Sequence, residues 1–464
     1  MIPARSLAAS LLLLSLCACK VGPNYQRPAV TLPDQYRGLA PATAPPAQAP
    51  AEAFGDMKWW TVFQDQVLDD LIRKALINNY DVQIAATRVA QAEAIVGITR
   101  ADQFPTVSAG GGIQQVKSKL FPGGPTFDQL SIQANYVIDF WGQYRRATEA
   151  AKANLVGTQY GQQVVRTTLI SDLASEYFRL LQYDTQLQYS EKTLAADQDM
   201  LKLNTINFKG GEFAETDVLQ AQLLVEQAEA QIISLHQLIE QTENAISTLL
   251  GTNPGPVNRG TGLVDQAHIP DIPAGLPSTL LKRRPDVLRS EMQLVAANAN
   301  VGVAKAAFFP QFSLTGQYGM QSTSITSFMQ GPAQFWAVGG QVLQPIFEGG
   351  RIRSNYRLAW AKRDEAELEY RQSVQGAVAD VSNSLVGYTQ SQKYRAKIQE
   401  QTNTYYEAAR LANVRFTGGA TSFLEVLVTQ QQYFTSQLAL AQAWDDELQN
   451  YVQLYRSLGG GWEM

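Results

Sequence analysis

The chain is written twice, and this constrains its fold more than any other feature. Val96-Gly97-Ile98-Thr99-Arg100-Ala101, followed by Phe104-Pro105, returns as Val301-Gly302-Val303-Ala304-Lys305-Ala306, followed by Phe309-Pro310, at an offset of 205 residues. Phe140-x-Gly142 returns as Phe347-x-Gly349 at an offset of 207. Phe208-x-Gly210-Gly211 returns as Phe416-x-Gly418-Gly419, and Leu250-Gly251 as Leu458-Gly459, both at 208. The landmarks keep their order and nearly their spacing, so one architectural unit has been duplicated. A length of 464 residues ordinarily suggests two or three domains. Here it predicts one domain of two like halves, a first repeat over 59–251 and a second over 291–464, joined by a Pro- and Gly-rich linker over 252–290 that carries a basic spot at Arg283 and Arg284.

Each half changes period twice. From Trp59 to Asp102 the pattern is helical, with Leu68, Leu71, Ile72, Ala75 and Leu76 at spacings of three and four. Phe104-Pro105 ends it, because proline forces the preceding residue into extended geometry. Alternation follows: strands are predicted at about 106–117, 128–139, 311–322 and 333–343, the last alternating less cleanly. One face of each is apolar. The other holds Gln, Ser, Thr and Gly with almost no charge, as a wet lumen would require. A half-exposed soluble sheet alternates in the same way, but strands of about ten residues also fit a tilted membrane crossing. Four strands cannot enclose a lumen, since the smallest membrane barrels have about eight. Several chains must therefore share one barrel if the strands cross a membrane.

After each hairpin comes a proline-free stretch, 142–207 and 350–415. About 66 helical residues make a rod of roughly 100 Å. Each rod is predicted to end at Phe-x-Gly-Gly and to be followed by a returning helix, about 213–250 and 421–458. In the first returning helix Val218, Ala221, Val225, Ala228, Ile232, Leu235, Ile239, Thr242, Ile246 and Leu249 form a heptad seam, which implies supercoiled packing. The second returning helix reads as more irregular.

The N-terminus reads as an export signal over 1–18, with a short apolar run from Leu7 to Leu16. It ends in Leu16-Cys17-Ala18-Cys19, which resembles a bacterial lipobox; Cys19 is then acylated and becomes the first mature residue. Lys20 next to it favours the outer membrane. The Pro/Ala-rich residues 19–58 read as an extended lipidated tether. No apolar run of eighteen residues follows, so no transmembrane helix is expected. A net charge of −5 without a basic run argues against nucleic acid.

Little supports catalysis. The histidines are His236, on the heptad helix, and His268, in the linker. No nucleophile–base arrangement, metal spacing or phosphate-cradling loop is visible, so no enzyme activity, metal or cofactor is expected beyond the covalent lipid on Cys19. The two glycine turns are each followed by an acid at the matching offset, Asp217 and Glu425. Each complements the positive end of a helix, and in an assembly each would form an acidic ring that favours cations.

At this point the chain resembles the outer-membrane factors of tripartite efflux pumps, the TolC-like channels, in their OprM-type lipoprotein branch. The resemblance rests on Cys19-x-Val21-Gly22-Pro23-Asn24-Tyr25-x-Arg27-Pro28, Trp59-Trp60-x-x-Phe63, Leu281-x-x-Arg284-Pro285-Asp286-Val287 with Glu291, Ala304-x-x-Ala307-x-Phe309-Pro310 and the two glycine turns. It implies an α+β membrane channel, a homotrimer in which four strands per chain make a shared twelve-stranded β-barrel and the long coiled-coil helices make a periplasmic α-barrel. It places Gly210, Gly211, Gly418 and Gly419 at periplasmic tips that open as an iris and dock on a periplasmic adaptor (membrane fusion protein), which joins an inner-membrane transporter of the resistance-nodulation-division type. The gate residues carried over are Asp217, Glu425, Phe416 and Thr421. Some relatives have Tyr and Arg where Phe416 and Thr421 stand, and a second acid where Val428 stands, which puts a polar lock and a double acidic ring in doubt here. The implied function is a passive exit duct for drugs or other small toxic compounds. The alternatives are a structural or adhesive envelope lipoprotein and a channel for protein secretion.

Overall fold

The computed structural model describes residues 20–33, 62–115, 126–266, 283–322 and 333–460. The signal segment, Cys19, Trp59, Trp60, His268, Leu281 and the loop tip near Pro122 lie outside them. In chain order the elements are α1 (Gln66–Asn78), α2 (Tyr80–Ala101), β1 (Thr106–Gln115), β2 (Thr126–Ile138), α3 (Gln143–Lys209), α4 (Glu215–Leu249), a 3-10 turn at Leu263–Asp265, α5 (Pro285–Ala306), β3 (Gln311–Ser322), β4 (Gln334–Leu343), α6 (Arg351–Thr417) and α7 (Phe423–Ser457). The duplication is metric. α2 and α5 have 22 residues each, α3 and α6 have 67 each, and α4 and α7 have 35 each. No helix among the described residues is long and apolar enough to cross a membrane.

The chain forms two compact units. One comprises the sheet and its neighbours, within Thr87–Gln159, Arg289–Gln372 and the residues before Thr31; the other holds the remaining lengths of the long helices, α1 and α7.

In the first unit the four strands form an antiparallel meander in chain order, and β2 and β3 join the two copies across eleven paired positions. The register sorts the side chains. Val107, Ala109 and Gly111 lie opposite Ala134, Ile132 and Leu130. These lie beside Gly316, Tyr318 and Met320, and Tyr318 pairs with Trp336 and Gly316 with Val338. Directly opposed residues share a face, so one side is a continuous apolar surface. The other side carries Ser108, Gln133, Ser131, Gln317 and Thr315 in the same register. The register also resolves β4: Trp336, Val338 and Val342 join the apolar face, while Phe335, Ala337 and Leu343 are apolar residues on the polar side. Among the described residues nothing covers the apolar face; Trp336 and Val338 are about three-quarters exposed, at 75% and 76%. At the end of the strands an aromatic group gathers. Trp141 stacks on Phe309 at 4.6 Å and donates its Nε1–H to the carbonyl of Pro310 at 2.8 Å, and Phe140 meets Phe312 edge-on at 4.9 Å.

Residues 20–33 correct the tether reading. They carry no regular structure, and residues 20–27 are bound to the body. Val21 N–H donates to the carbonyl of Trp141 at 3.0 Å. The guanidinium of Arg146, itself buried, donates to the carbonyl of Val21 at 3.3 Å and to Asn24 Oδ1 at 2.8 Å. Asn298 donates to the carbonyl of Pro23 at 3.0 Å. Glu291 receives Tyr25 Oη at 3.0 Å and Arg27 Nε at 2.7 Å, with Arg27 making a second, parallel contact. Burial first, and the Glu291 carboxylate second, push the Tyr25 phenol well above its usual range, so it stays a donor. Gly22, at φ +101°, lies against Gly302; a Cβ there would stand 2.5 Å from Gly302 Cα. The family-like N-terminal motif and Glu291 are thus two halves of one strap. Small residues make the neighbouring approach close as well, with Ala150 and Ala153 of α3 packed on Ala296 and Ala299 of α5.

In the second unit the heptad seam of α4 faces inward. Ala221, Val225, Ala228, Leu235, Ile239, Thr242 and Ile246 are buried, while His236 is exposed. α7 is as regular and as long as α4. Its sequence looks irregular because the second half, around Asp445, Glu447, Leu448, Tyr451 and Tyr455, is covered on most sides. Phe63, from the Trp-Trp-x-x-Phe motif, meets Phe178, Tyr451 and Tyr455 edge-on at 6.1, 6.3 and 6.1 Å. Beside it Asp65 caps α1, accepting from the N–H groups of Val67 and Leu68 at 2.9 and 3.1 Å. The same carboxylate accepts Tyr177 Oη, Thr261 N–H and Gln266 Nε2 at 3.0, 3.1 and 3.2 Å, tying the inter-repeat segment to α1 and α3. The linker is shorter than the sequence suggested, because Pro285 opens α5, a position proline suits. Arg284 is no open basic spot. It pairs with Asp286 at 2.6 Å and Asp380 at 3.0 Å.

Candidate functional site

The two glycine turns are built alike, and the backbone bonds show why the sequence folds so. Gly210, Gly211 and Glu212 donate to the carbonyls of Ile206, Phe208 and Asn207 at 3.0, 3.0 and 2.9 Å. Gly418, Gly419 and Ala420 donate to Val414, Phe416 and Arg415 at 3.1, 2.9 and 2.8 Å. These bonds satisfy the orphan carbonyls of a helix end and require a left-handed residue just past it. Gly211 has φ +80° and Gly419 φ +71°. Gly210 and Gly418 do not have positive φ. The second glycine of each pair is therefore the conformational requirement, while the first continues the last turn. This is also why α3 and α6 run to Lys209 and Thr417, two residues past the predicted end. A Cβ on Gly211 or Gly419 would meet nothing within 4 Å, so within one chain both turns present open surface.

The turns lie side by side in the second unit. Phe416 stands between Phe213 and Phe423, with ring centroids 5.7 and 5.6 Å away. Beneath it Ala221, Ala412, Phe423 and Val426 form a buried cluster with Met200, Leu201 and Leu427 against it. Phe416 thus packs where a tyrosine would have carried a hydroxyl.

The two acids differ. Asp217 reaches back to accept the N–H of Ala214 at 3.1 Å, which caps α4 where the alanine side chain cannot. It has no cation partner among the described residues. Glu425 accepts from Arg415 Nη1 at 2.9 Å and from the Thr421 hydroxyl. Thr421 and Glu425 are thus brought together, and a positive charge balances the second copy's acid. Both members of the Arg415–Glu425 pair are solvent-accessible, so the pair is worth at most about 1 kcal/mol; it sets local charge rather than stability. Sequence reasoning missed Arg415 and Phe213. The signal was available at the repeat offset of 208, where Asn207 becomes Arg415 and Phe213 becomes Thr421.

Comparison with known proteins agrees with this architecture. The family model described as "Outer membrane efflux protein" matches over residues 71–252 and again over 276–460, once for each copy. The chain is 34% identical over 460 residues to the toluene efflux pump outer membrane protein TtgI of Pseudomonas putida, covering 97% of both chains. It is 30% identical over 461 residues to the cation efflux system protein CusC of Escherichia coli, again covering 97% of both. Among solved structures, the open state of the Neisseria gonorrhoeae MtrE outer membrane channel superimposes with a TM-score of 0.83 at 26% identity, over 96% of this chain and 99% of that one. Matched once per repeat and nearly end to end, the chain belongs to the outer membrane efflux protein family.

Proposed function

We propose that the protein is the outer-membrane exit duct of a tripartite efflux system: a passive trimeric channel whose periplasmic end opens and closes. The observation that carries this reading is the open sheet. Among the described residues its outer side is apolar and uncovered, its other side polar and nearly uncharged, and β1 and β4 each leave an edge of ten residues without a partner. A long unprotected edge is a template for another strand. Three copies joined β4 to β1 give twelve strands, enough for an aqueous lumen, and the equal repeats give the long helices a near-sixfold arrangement.

Cys19 carries the lipid in this reading. Lys20, the next residue, lies against Gly142 at the foot of β2, so the strap fixes the acyl chain near the barrel rim. The turns at Gly211 and Gly419 dock on a periplasmic adaptor, which links the duct to an inner-membrane transporter of the resistance-nodulation-division type. Phe416, Thr421, Asp217 and Glu425 line the gate. Its closed state rests on the Phe213–Phe416–Phe423 packing rather than on a polar lock, and any acidic ring rests on Asp217, since Glu425 is balanced by Arg415. The cargo is small toxic compounds, the class to which the relatives' solvent and cation names point.

Gly211→Leu and Gly419→Leu test the docking assignment. The left-handed backbone costs a leucine about 1 kcal/mol, too little to unfold the chain. Efflux of a fluorescent dye from cells is expected to be lost while trimer yield is unchanged. Unchanged efflux in both variants would remove the turns from the docking surface.

A further inference from the structure

About three helical turns above the first glycine turn, α3, α4 and α7 meet around a cavity of about 20 Å³, room for one water molecule. Asp197 of α3 lines it with only 5% of its surface exposed, and no hydrogen-bond or ionic partner for its carboxyl occurs among the described residues. Gln430 of α7 lines the same cavity, and its Oε1 is buried without a donor. The wall is otherwise apolar at Leu224 and Ala228 of α4 and Phe434 of α7, with Thr193 and glutamine amides as its other polar groups. Among the described residues Asp197 is the only ionisable group lining the cavity from any of the three helices. A buried carboxyl and an unsatisfied amide oxygen in one small cavity is a costly arrangement unless a proton or a water is shared between them.

We propose that Asp197 and Gln430 form a proton- and water-binding site that tightens the α3–α7 seam when the proton is bound and loosens it when the proton leaves. The site rests on the duct reading and supplies a regulation for its gate. With the proton bound, the Asp197 hydroxyl donates to Gln430 Oε1, and both buried groups are satisfied without solvent. When the proton leaves to water, two acceptors face each other. The carboxylate then needs several donors, which one turned amide cannot supply, so water must enter between α3 and α7.

Burial pushes the Asp197 carboxyl up to about 6 from 3.8. Between those values the folded chain binds more protons than the unfolded one, so the stability this group contributes falls as pH rises through that window. The second copy has no such site. At the offset of 208, Asp197 corresponds to Tyr405 and Gln430 to the exposed Gln222. The Asp197–Gln430 site therefore lies between the rod of one copy and the returning helix of the other, with no counterpart at the matching positions.

The test is hydrogen–deuterium exchange on the purified full-length assembly at about pH 5 and about pH 7.5, corrected for intrinsic rates, following residues 190–205 and 424–434. Protection in the native protein is expected to be about tenfold higher at the lower pH. Asp197→Asn, which mimics the protonated group, is expected to show high protection at both. Asp197→Ser, smaller and also non-titrating, is expected to show no pH difference, which covers a packing fault in the first variant. A native protein without the difference, or an Asp197→Asn variant that keeps it, overturns the proposal. Planar-bilayer recording of the same preparations separates the two readings. Absence of any conductance counts against the duct, whereas conductance with unaltered pH dependence in Asp197→Asn counts against the switch alone.

Discussion

Asp65→Ala is expected to lower the stability of the assembled protein by about 3–5 kcal/mol, a fall in melting temperature of about 10 °C. The carboxylate accepts five hydrogen bonds, two capping α1 and three from Tyr177, Thr261 and Gln266. Asp65 is 1% exposed, so water cannot replace what is lost. Truncation leaves a phenol, two amide donors of the α1 cap and a loop N–H without an acceptor, while the Gln266 amide keeps only its bond to the carbonyl of Thr261 at 2.9 Å. Each buried orphan costs a desolvation penalty that outweighs the mean value of the bond it made. Asp65→Asn, which keeps the shape and loses charge, is expected to fall between wild type and alanine. Differential scanning calorimetry of the detergent-solubilised protein measures this, and a loss below about 1 kcal/mol for alanine would show the network to be dispensable.

Gly22→Val is the second large effect, expected at about 2–4 kcal/mol and confined to the strap. The new side chain meets backbone at 2.5 Å, not a movable side chain, and φ at this position is +101°. Residues near Gly22 must lift from Gly302. The Tyr25 and Arg27 contacts then leave Glu291 as a carboxylate 4% exposed with its partners withdrawn, a costly state. The readout is amide exchange at Val21, whose N–H is held by Trp141. A rise of about tenfold or more is expected in the variant, with the melting of the second unit unchanged. Unaltered exchange at Val21 would mean that the strap is held from elsewhere.

The contrast between the Asp65 and Gly22 sites and the rods explains what a single sequence discloses. The rods were legible because a proline-free stretch and a glycine stop are local signals, and the duplication gave each a second reading. The strand faces were legible from period two, except in β4, where Phe335 and Leu343 break the pattern and only pairing with β3 assigns the faces. What stayed hidden depends on partners far apart in the chain. Residues 20–33 are rich in features of a tether, yet Arg146, Glu291 and Asn298 hold Asn24, Tyr25 and Pro23 from 122 to 275 positions away. Asp65 reads as an ordinary helix cap until Thr261 and Gln266 arrive beside it. At the turns the glycine pairs were visible, but the division of labour within each pair was not, because only φ separates Gly211 from Gly210. Arg415 was overlooked for a related reason. A cation in the last turn of a helix is unremarkable by sequence, and its partner Glu425 belongs to the next helix.

In the proposed duct, several copies of this four-stranded sheet close into an aqueous pore across a membrane. Single-channel recording in a planar bilayer tests it most directly, using the full-length protein with Phe416→Ala to loosen the packing between the turns. Discrete, ohmic conductance steps are expected from a species whose mass is three chains. A stable three-chain species that inserts yet carries no current, with the turns loosened, would contradict it.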